Sequence, residues 1–222
     1  MTQSIGSALD QEVGRFNAWA GDRGPGRSGE WECDYPDWNV LYKAASDLIG
    51  NSDVHDWNES IVGALIYAIA RDNECGCIAS LLRAETGKLC FLARAALRSE
   101  EADAKWQLSV QLAHSSVPFE DAEPLLLSFA TDDDEYVRRQ ALMALGRIRS
   151  SHVELLAEKA WETGDEYQRM ASLAALSDVH SQLLPLYLEL AHADGRRYLA
   201  AYADRILKVK WGRLPPADHE GL

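Results

Sequence analysis

Residues 134–148 have the sequence DEYVRRQALMALGRI, and this pattern of residue types returns twice at an interval of 31 residues. The aligned positions share an aromatic ring, then a small side chain, then an aliphatic side chain. A fixed period between about 20 and 50 residues is typical of stacked supersecondary units, so the sequence predicts a repeat array in the C-terminal half. The aligned residues are Tyr136, Tyr167 and Tyr198; Ala141, Ser172 and Ala203; and Leu145, Leu176 and Leu207.

The chain after Asp37 has the periodicity of helices throughout, because apolar residues recur at three- and four-residue spacings. Each repeat is therefore predicted to be a pair of antiparallel helices. The predicted fold is an all-α, right-handed α-solenoid with a helical and irregular N-terminal cap. The predicted regions are 1–36, an N-terminal helix and a glycine-rich, acidic and aromatic loop; 37–101, a degenerate helical region; 102–210, the repeats; and 211–222, a tail.

The pattern of residues 134–148 resembles the repeat signature of the HEAT family, Asp-x-x-Val-Arg-x-x-Ala-x-x-Ala-Leu-Gly-x-Ile. It is especially similar to the short HEAT-like repeats of phycobilisome lyases. The first unit keeps every defined position of the signature. The next unit departs from it at Gln168, where the family has an aliphatic residue, and at Ser172, where it has alanine.

This resemblance covers roughly residues 102–210 and implies a stacking role for most of the motif. In such families, arginines at the positions of Arg138 and Arg169 pair with an aspartate of the adjacent turn. The repeated tyrosines are interpreted as packing residues with a solvated hydroxyl, since a partly buried tyrosine usually presents an apolar body and a polar tip.

The charge of the chain disfavours nucleic acid as a partner. The sequence has 35 acidic and 22 basic residues, a net charge of −13, and residues 1–70 hold 11 of the acidic and 4 of the basic ones. Some HEAT-like proteins are DNA glycosylases, which need a basic surface for the duplex. Here the arginines of 138–149 stand directly beside the acidic run 132–135, so a glycosylase is a disfavoured alternative.

The sequence predicts no enzyme, no cofactor and no metal site. It contains no HExxH, GxGxxG, GxxxxGK or GxSxG motif. The spacing of Cys75 and Cys77 is tighter than that of ordinary zinc knuckles, so the four cysteines are predicted to be thiols. A redox or metal role for Cys75 and Cys77 is the alternative. The start of the chain has no apolar leader and the apolar run 61–70 is too short to span a bilayer, which predicts a cytoplasmic protein without membrane contact.

The function predicted from these patterns is a non-enzymatic module that binds one protein partner with a basic surface. The small acidic array resembles immunity proteins, which bind and neutralise a basic toxin or enzyme domain. An accessory subunit of a lyase that acts on a protein or chromophore is the alternative. Aromatic residues beside charges are typical of interface anchors, although Trp31 and Trp38 can equally cover the end of the stack. The predicted partner contacts are Trp31, Asp34, Asp37, Trp38, Arg139, Met143 and Met170.

Overall fold

A computed structural model describes residues 2–22 and 31–211. Over these ranges the chain is all-α, with twelve α-helices and no strand. None of the helices described combines the length and the apolar character needed to cross a bilayer. The helices are α1 Thr2–Asp22, α2 Trp38–Asn51, α3 Glu59–Arg71, α4 Cys77–Leu81, α5 Thr86–Ala96, α6 Ala102–His114, α7 Phe119–Phe129, α8 Glu135–Arg147, α9 Val153–Glu162, α10 Glu166–Asp178, α11 Leu184–Asp194 and α12 Arg197–Trp211.

Short segments of 3₁₀-helix occupy three of the connections, at Trp31–Asp34, Val54–Asp56 and Leu82–Ala84. Most of the predicted glycine-rich loop, and the predicted tail from residue 212 onward, lie outside the described residues. Two compact units divide the chain, Met1–Val137 and Arg138–Leu222. The division falls in the first turn of α8, and each unit has its own set of packed helices.

In the first unit, the helices pack as two sets of neighbours. Helix α3 contacts both α1 and α6, while α5 contacts α7. Helices α5 and α6 also pack against each other, as expected for the two members of one repeat. Fully buried aliphatic side chains such as Leu65, Ile69 and Leu108 fill the space between these helices, so hydrophobic burial along one stripe of each helix holds the stack.

An aromatic cluster fixes α1 to the start of α2. Phe16 is 0% exposed, and its ring centroid lies 4.9 Å from that of Tyr35 and 5.4 Å from that of Trp38. Trp38 also stacks on Tyr42 at 5.2 Å and donates a hydrogen bond from its indole N–H to the carbonyl of Glu32 at 2.8 Å. These contacts place the acidic and aromatic segment before α2 against the packed helices of this unit.

In the second unit, α10 is the central helix. It contacts α9, α11 and α12, and α11 contacts α12. Leu173, Leu176, Leu188 and Leu199 belong to one buried cluster between these helices. Helix α8 approaches α10 closely at Gly146, where a β-carbon would lie 2.7 Å from the Cα of Ala175. The glycine of the repeat signature therefore permits close approach between successive repeats.

The structure confirms the helical repeats, with Ala141, Leu145 and Leu176 all 0% exposed. It also confirms the ion pair predicted for Arg169, whose guanidinium bonds the carboxylate of Asp194 at the C-terminal end of α11. The interpretation of the repeated tyrosines as packing residues with a solvated hydroxyl fits Tyr136, whose ring meets that of Trp106 edge-on at 5.2 Å, but not Tyr167 and Tyr198, which are more exposed. The three rings stand at the first turns of α8, α10 and α12, where the side chains point partly into solvent. Tyr136 is 36%, Tyr167 53% and Tyr198 67% exposed.

Candidate functional site

An acidic groove lies between two connections of the first unit, the turn after α5 and the turn after α7. It is a cavity of about 490 Å³, and most of its lining side chains are charged or hydroxylated. A polar lining suits hydrogen bonding and ion pairing better than the burial of an apolar side chain. The lining residues are Leu97, Arg98, Ser99, Glu100, Ala102, Lys105, Ser128, Thr131, Asp132, Asp133 and Asp134.

Carboxylates outnumber cations in this groove. The ammonium of Lys105 lies 2.8 Å from Asp132 Oδ2, and both side chains are 12% exposed, so this pair is internally compensated. Glu100, Asp133 and Asp134 are exposed. Asp134 also accepts hydrogen bonds from the backbone N–H groups of the first turn of α8 at 2.8 and 3.1 Å. Its position is therefore fixed by the helix end.

A second site surrounds Asp72, at the turn between α3 and α4. The Asp72 side chain accepts hydrogen bonds from the Tyr42 hydroxyl at 2.8 Å and the Ile78 backbone N–H at 2.7 Å. The sulfur atoms of Cys75 and Cys77 and a carboxylate oxygen of Asp72 all lie within 4.8 Å of one another. Residues 72–77 are called the cysteine turn below. In this turn, the side chains of Asp72, Cys75 and Cys77 bring one carboxylate and two thiols close together.

The cysteine turn adjoins a cavity of about 260 Å³ that reaches the acidic and aromatic segment. Its lining includes Cys33 and Trp38 on one side and Asp72, Glu74 and Cys75 on the other. Burial raises the pKa of Asp72, against hydrogen bonds from Ile78, Tyr42 and Cys77 that lower it. Burial also raises the pKa of the Cys77 thiol, and the neighbouring charges of Asp72 and Cys75 raise it further. Negative charge is thus disfavoured at this point in the absence of a cation.

The predicted contacts of the segment before α2 occupy different environments. Asp34 and Asp37 are exposed, whereas Trp38 is half-buried in the aromatic cluster around Phe16. The side chain of Trp31 lies outside the described part of the structure. Trp38 thus contributes to the packing of α1 on α2, and the two aspartates are the members of this set that face solvent.

The other predicted contacts belong to the second unit. Arg139, Met143 and Met170 are all half-buried. The Arg139 guanidinium lies over the ring of Tyr167, 4.8 Å from its centroid, and Met170 packs against the buried cluster of this unit. These three residues belong to the second unit, whereas Asp34 and Asp37 belong to the first. The predicted contacts are therefore divided between the two units.

The groove was not predicted from the sequence, and the cysteine turn was predicted only as an alternative, a redox or metal role for Cys75 and Cys77. The sequence shows the run Asp132-Asp133-Asp134 as a group of carboxylates; the structure adds that Asp134 caps α8 and that the run borders a groove. The signal at the cysteine turn is the spacing Asp-x-x-Cys-x-Cys over 72–77. This spacing lacks the usual pattern of a zinc knuckle, and Tyr42 and Cys33 approach it only through the fold.

Comparison with known protein families places the repeats in one of them. A model of HEAT repeats matches residues 91–203. Comparisons with curated proteins and with solved structures gave no match. The matched range begins within α5 and ends within α12, and so includes the helix pairs on which the 31-residue period is seen. The chain belongs to the HEAT repeat family.

Proposed function

We propose that this protein is a non-catalytic binding module whose acidic groove receives the basic surface of one protein partner. Membership of the HEAT repeat family supports a scaffold for protein interaction, because stacked helix pairs offer an extended surface for a partner. The observation that carries the proposal is the distribution of charge over the two units. Residues 1–137 hold 24 acidic and 10 basic side chains, a net charge of −14, whereas residues 138–222 hold 11 and 12, a net charge of +1.

The groove is where this charge becomes available to a partner. Glu100, Asp133 and Asp134 are exposed along its edge, and Lys105 is already engaged by Asp132. Arg98 is the other cation of the groove, so lysine and arginine side chains of a partner would compensate the remaining excess of carboxylates. Charge-assisted hydrogen bonds to carboxylates are about twice as strong as neutral ones. Complementary charge also accelerates encounter between the two proteins.

A capture experiment with two charge variants tests the site. The full chain is used to capture proteins from its native host, including the product of the adjacent gene, and the dissociation constant of any purified partner is measured by calorimetry. The double variant Glu100→Lys, Asp133→Lys is expected to weaken binding at least ~10-fold. Each substitution replaces an attractive charge pair with a repulsive one, and such a change at an interface costs on the order of 1 kcal/mol or more.

The matched control is Glu158→Lys with Glu162→Lys on α9, where both side chains are exposed and lie outside the groove. It changes the net charge of the protein by the same amount. A partner whose affinity is reduced equally by both double variants would contradict the groove as the binding site. A partner without a basic surface would contradict the role of the acidic unit.

More specifically, we propose that the protein is an inhibitor. Its partner is then a basic toxin or enzyme domain that the protein binds and neutralises. The support is the acidic charge of residues 1–137, which suits the basic active cleft of a nuclease. Addition of equimolar protein is then expected to abolish the activity of the captured partner, and the Glu100→Lys, Asp133→Lys variant is expected to inhibit at least ~10-fold less tightly. A captured partner with unchanged activity would contradict the inhibitor role and leave the binding role standing.

A further inference from the structure

The cysteine turn has the composition of a metal site, and the backbone at Gly76 produces it. Gly76 has φ of +61°, in the left-handed region that favours glycine. Its N–H donates to the Asp72 carbonyl at 2.8 Å, which closes the turn. Cys75 and Cys77, on either side of this glycine, are both exposed, whereas Asp72 is only 3% exposed. The turn therefore brings two accessible thiols to a carboxylate that is fixed in the fold.

We propose that Asp72, Cys75 and Cys77 bind a single Zn²⁺ ion. Two thiolates and one carboxylate form a mixed sulfur and oxygen set, which suits zinc; Mg²⁺ and Ca²⁺ prefer oxygen ligands alone, and Cu⁺ prefers soft sulfur ligands. In a tetrahedral zinc site with Zn–S distances of about 2.3 Å, two sulfur ligands lie ~3.8 Å apart. The three ligand atoms are already within 4.8 Å of one another. Rotation of the exposed cysteine side chains is enough to close the remaining distance.

The surroundings of Asp72 leave its carboxylate able to coordinate. The carboxylate accepts hydrogen bonds from Tyr42 at Oδ1 and from Ile78 at Oδ2, and a third from the Cys77 backbone, which leaves about one of its four lone-pair sites for an ion. Carboxylate ligands of metal ions are commonly oriented by hydrogen bonds of this kind. The Tyr42 ring is itself fixed by stacking on Trp38. The oxygen ligand is therefore oriented by α2 and α4 before any ion binds.

Charge near the cysteine turn favours a cation. Glu32, Asp72 and Glu74 line the adjoining cavity with a single basic side chain, Arg71. The Arg71 guanidinium is engaged by Glu101 and lies 5.0 Å from the centroid of the Tyr67 ring. A divalent ion would offset the mutual repulsion between the carboxylate and the two thiolates.

An additional buried oxygen lies beside the turn. Gln107 is 2% exposed and its amide N–H₂ donates to the Ile69 carbonyl at 2.6 Å. Its Oε1 has no hydrogen-bond partner among the described residues, and it lies 3.5 Å from the position a β-carbon would take at Gly76. A buried amide oxygen without a donor is uncommon in folded proteins. It adds a buried polar group beside the turn, in addition to the residues that line the adjoining cavity.

The test is metal titration of the full chain, stripped of metal by chelator and kept in a phosphine reductant. Co²⁺ serves as the spectroscopic probe. We expect a thiolate-to-cobalt charge-transfer band and the visible bands of a tetrahedral site, which saturate at one ion per chain and disappear when Zn²⁺ is added. We also expect the unfolding temperature to rise with Zn²⁺, because an ion that binds only the folded state stabilises it.

Cys75→Ser with Cys77→Ser is expected to remove the cobalt bands, to weaken Zn²⁺ binding at least ~100-fold and to abolish the rise in unfolding temperature. Both side chains are exposed, so the double variant is expected to fold. The matched control is Cys90→Ala on α5, which removes a buried thiol away from the turn and is expected to keep the bands. Absence of the charge-transfer band in the wild-type protein would overturn the proposal. A charge-transfer band that persists in the Cys75→Ser, Cys77→Ser variant would also overturn the proposal.

Discussion

Gly146 is the residue at which the repeat signature depends most directly on the absence of a side chain. A β-carbon there would lie 2.7 Å from the Cα of Ala175 and 3.1 Å from its Cβ. Alanine in a helix ordinarily gains about 1 kcal/mol over glycine. At this position the clash with backbone outweighs that gain, because overpacking of a close contact costs about 1–3 kcal/mol.

We expect Gly146→Ala to lower the free energy of unfolding by up to about 2 kcal/mol, the balance of these two effects. Urea denaturation followed by circular dichroism measures it. Gly63→Ala is the matched control, since Gly63 lies within α3 with no atom near the position of a β-carbon. That substitution is expected to raise stability by about 0.4–1 kcal/mol. Equal effects of the two substitutions would show that the contact at Ala175 does not limit the packing of α8.

Asp194 is held by two arginines, and this arrangement predicts a pH dependence. Hydrogen bonds from Arg196, followed by one from Arg169, lower the pKa of Asp194 below its ordinary value. A carboxyl group with a lowered pKa in the folded state stabilises the protein above the pKa of the unfolded chain, about 3.9, and loses that contribution as pH falls through the folded-state pKa.

Asp194→Asn is therefore expected to cost about 1–3 kcal/mol at neutral pH, in the range of charge-assisted hydrogen bonds. The difference from wild type should shrink below about pH 4, because the unfolded chain takes up a proton there while the folded carboxylate stays ionised. Denaturant midpoints measured from pH 7 into the acid range test this. Asp204→Asn, which alters an exposed pair with His192, is expected to cost less than about 1 kcal/mol. A cost of Asp194→Asn that does not change with pH would contradict the ionic explanation.

At the scale of elements, the helix ends depend on aspartate caps. The side chain of Asp165 accepts hydrogen bonds from the N–H groups of Tyr167 and Gln168, both at 2.9 Å. The first turn of a helix has N–H groups without partners inside the helix. A cap of this kind satisfies two of them and favours the start of α10 at Glu166.

Asp165→Ala is expected to lower the free energy of unfolding by about 0.5–2 kcal/mol, because it removes the acceptor for both N–H groups. Asp165→Asn retains a side-chain oxygen and is expected to keep most of the stability. Thermal unfolding of the two variants beside the wild type provides the measurement. If the asparagine variant were as unstable as the alanine variant, the hydrogen bonds of the cap would not be the source of the effect.

The elements themselves were predictable from sequence, because a stripe of apolar residues defines a helix without reference to its neighbours. The repeat pattern of residues 134–148 and its copy 31 residues later predict one helix each, and the structure has helices at Glu135–Arg147 and Glu166–Asp178. The exposure of Tyr167 and Tyr198 was not predicted correctly, because a regular period shows that positions are equivalent but gives no information about their burial. Cys75 and Cys77 were predicted as an alternative metal or redox pair, but without Asp72 and Tyr42. Tyr42 contacts Asp72 across 30 residues of sequence, and only the packing of α2 shows it.

At the scale of the whole molecule, the net charge of −14 on residues 1–137 implies repulsion among acidic side chains. Salt reduces such repulsion, since the Debye length falls from about 30 Å at 0.01 M to about 10 Å at 0.1 M. We expect the unfolding temperature to rise as sodium chloride increases over this range, as measured by calorimetry. A fall over the same range would indicate that screened ion pairs, such as the pair between Arg71 and Glu101, outweigh the repulsion.

The family could be recognised from residues 134–148 because the residues of its signature are the ones that pack one repeat on the next, and all of them lie within a single repeat. The partner could not be identified in this way. Glu100 and Asp133 form one edge of charge only because the turns after α5 and α7 are adjacent in the fold, and each residue alone is an ordinary solvated acid. Packing thus follows from local sequence, whereas a binding surface depends on residues that distant segments bring together.

The ion pairs and hydrogen bonds between neighbouring repeats join residues that are close in the chain. Arg169 and Asp194 are 25 residues apart, Lys105 and Asp132 are 27 apart, and the Leu199 N–H donates to Glu166 across 33 residues. A ribosome adds roughly 5–20 residues per second, whereas closing a short loop takes well under a millisecond. Within each unit, a repeat can therefore dock on its predecessor within seconds of leaving the ribosome, so each unit is suited to fold progressively while synthesis continues.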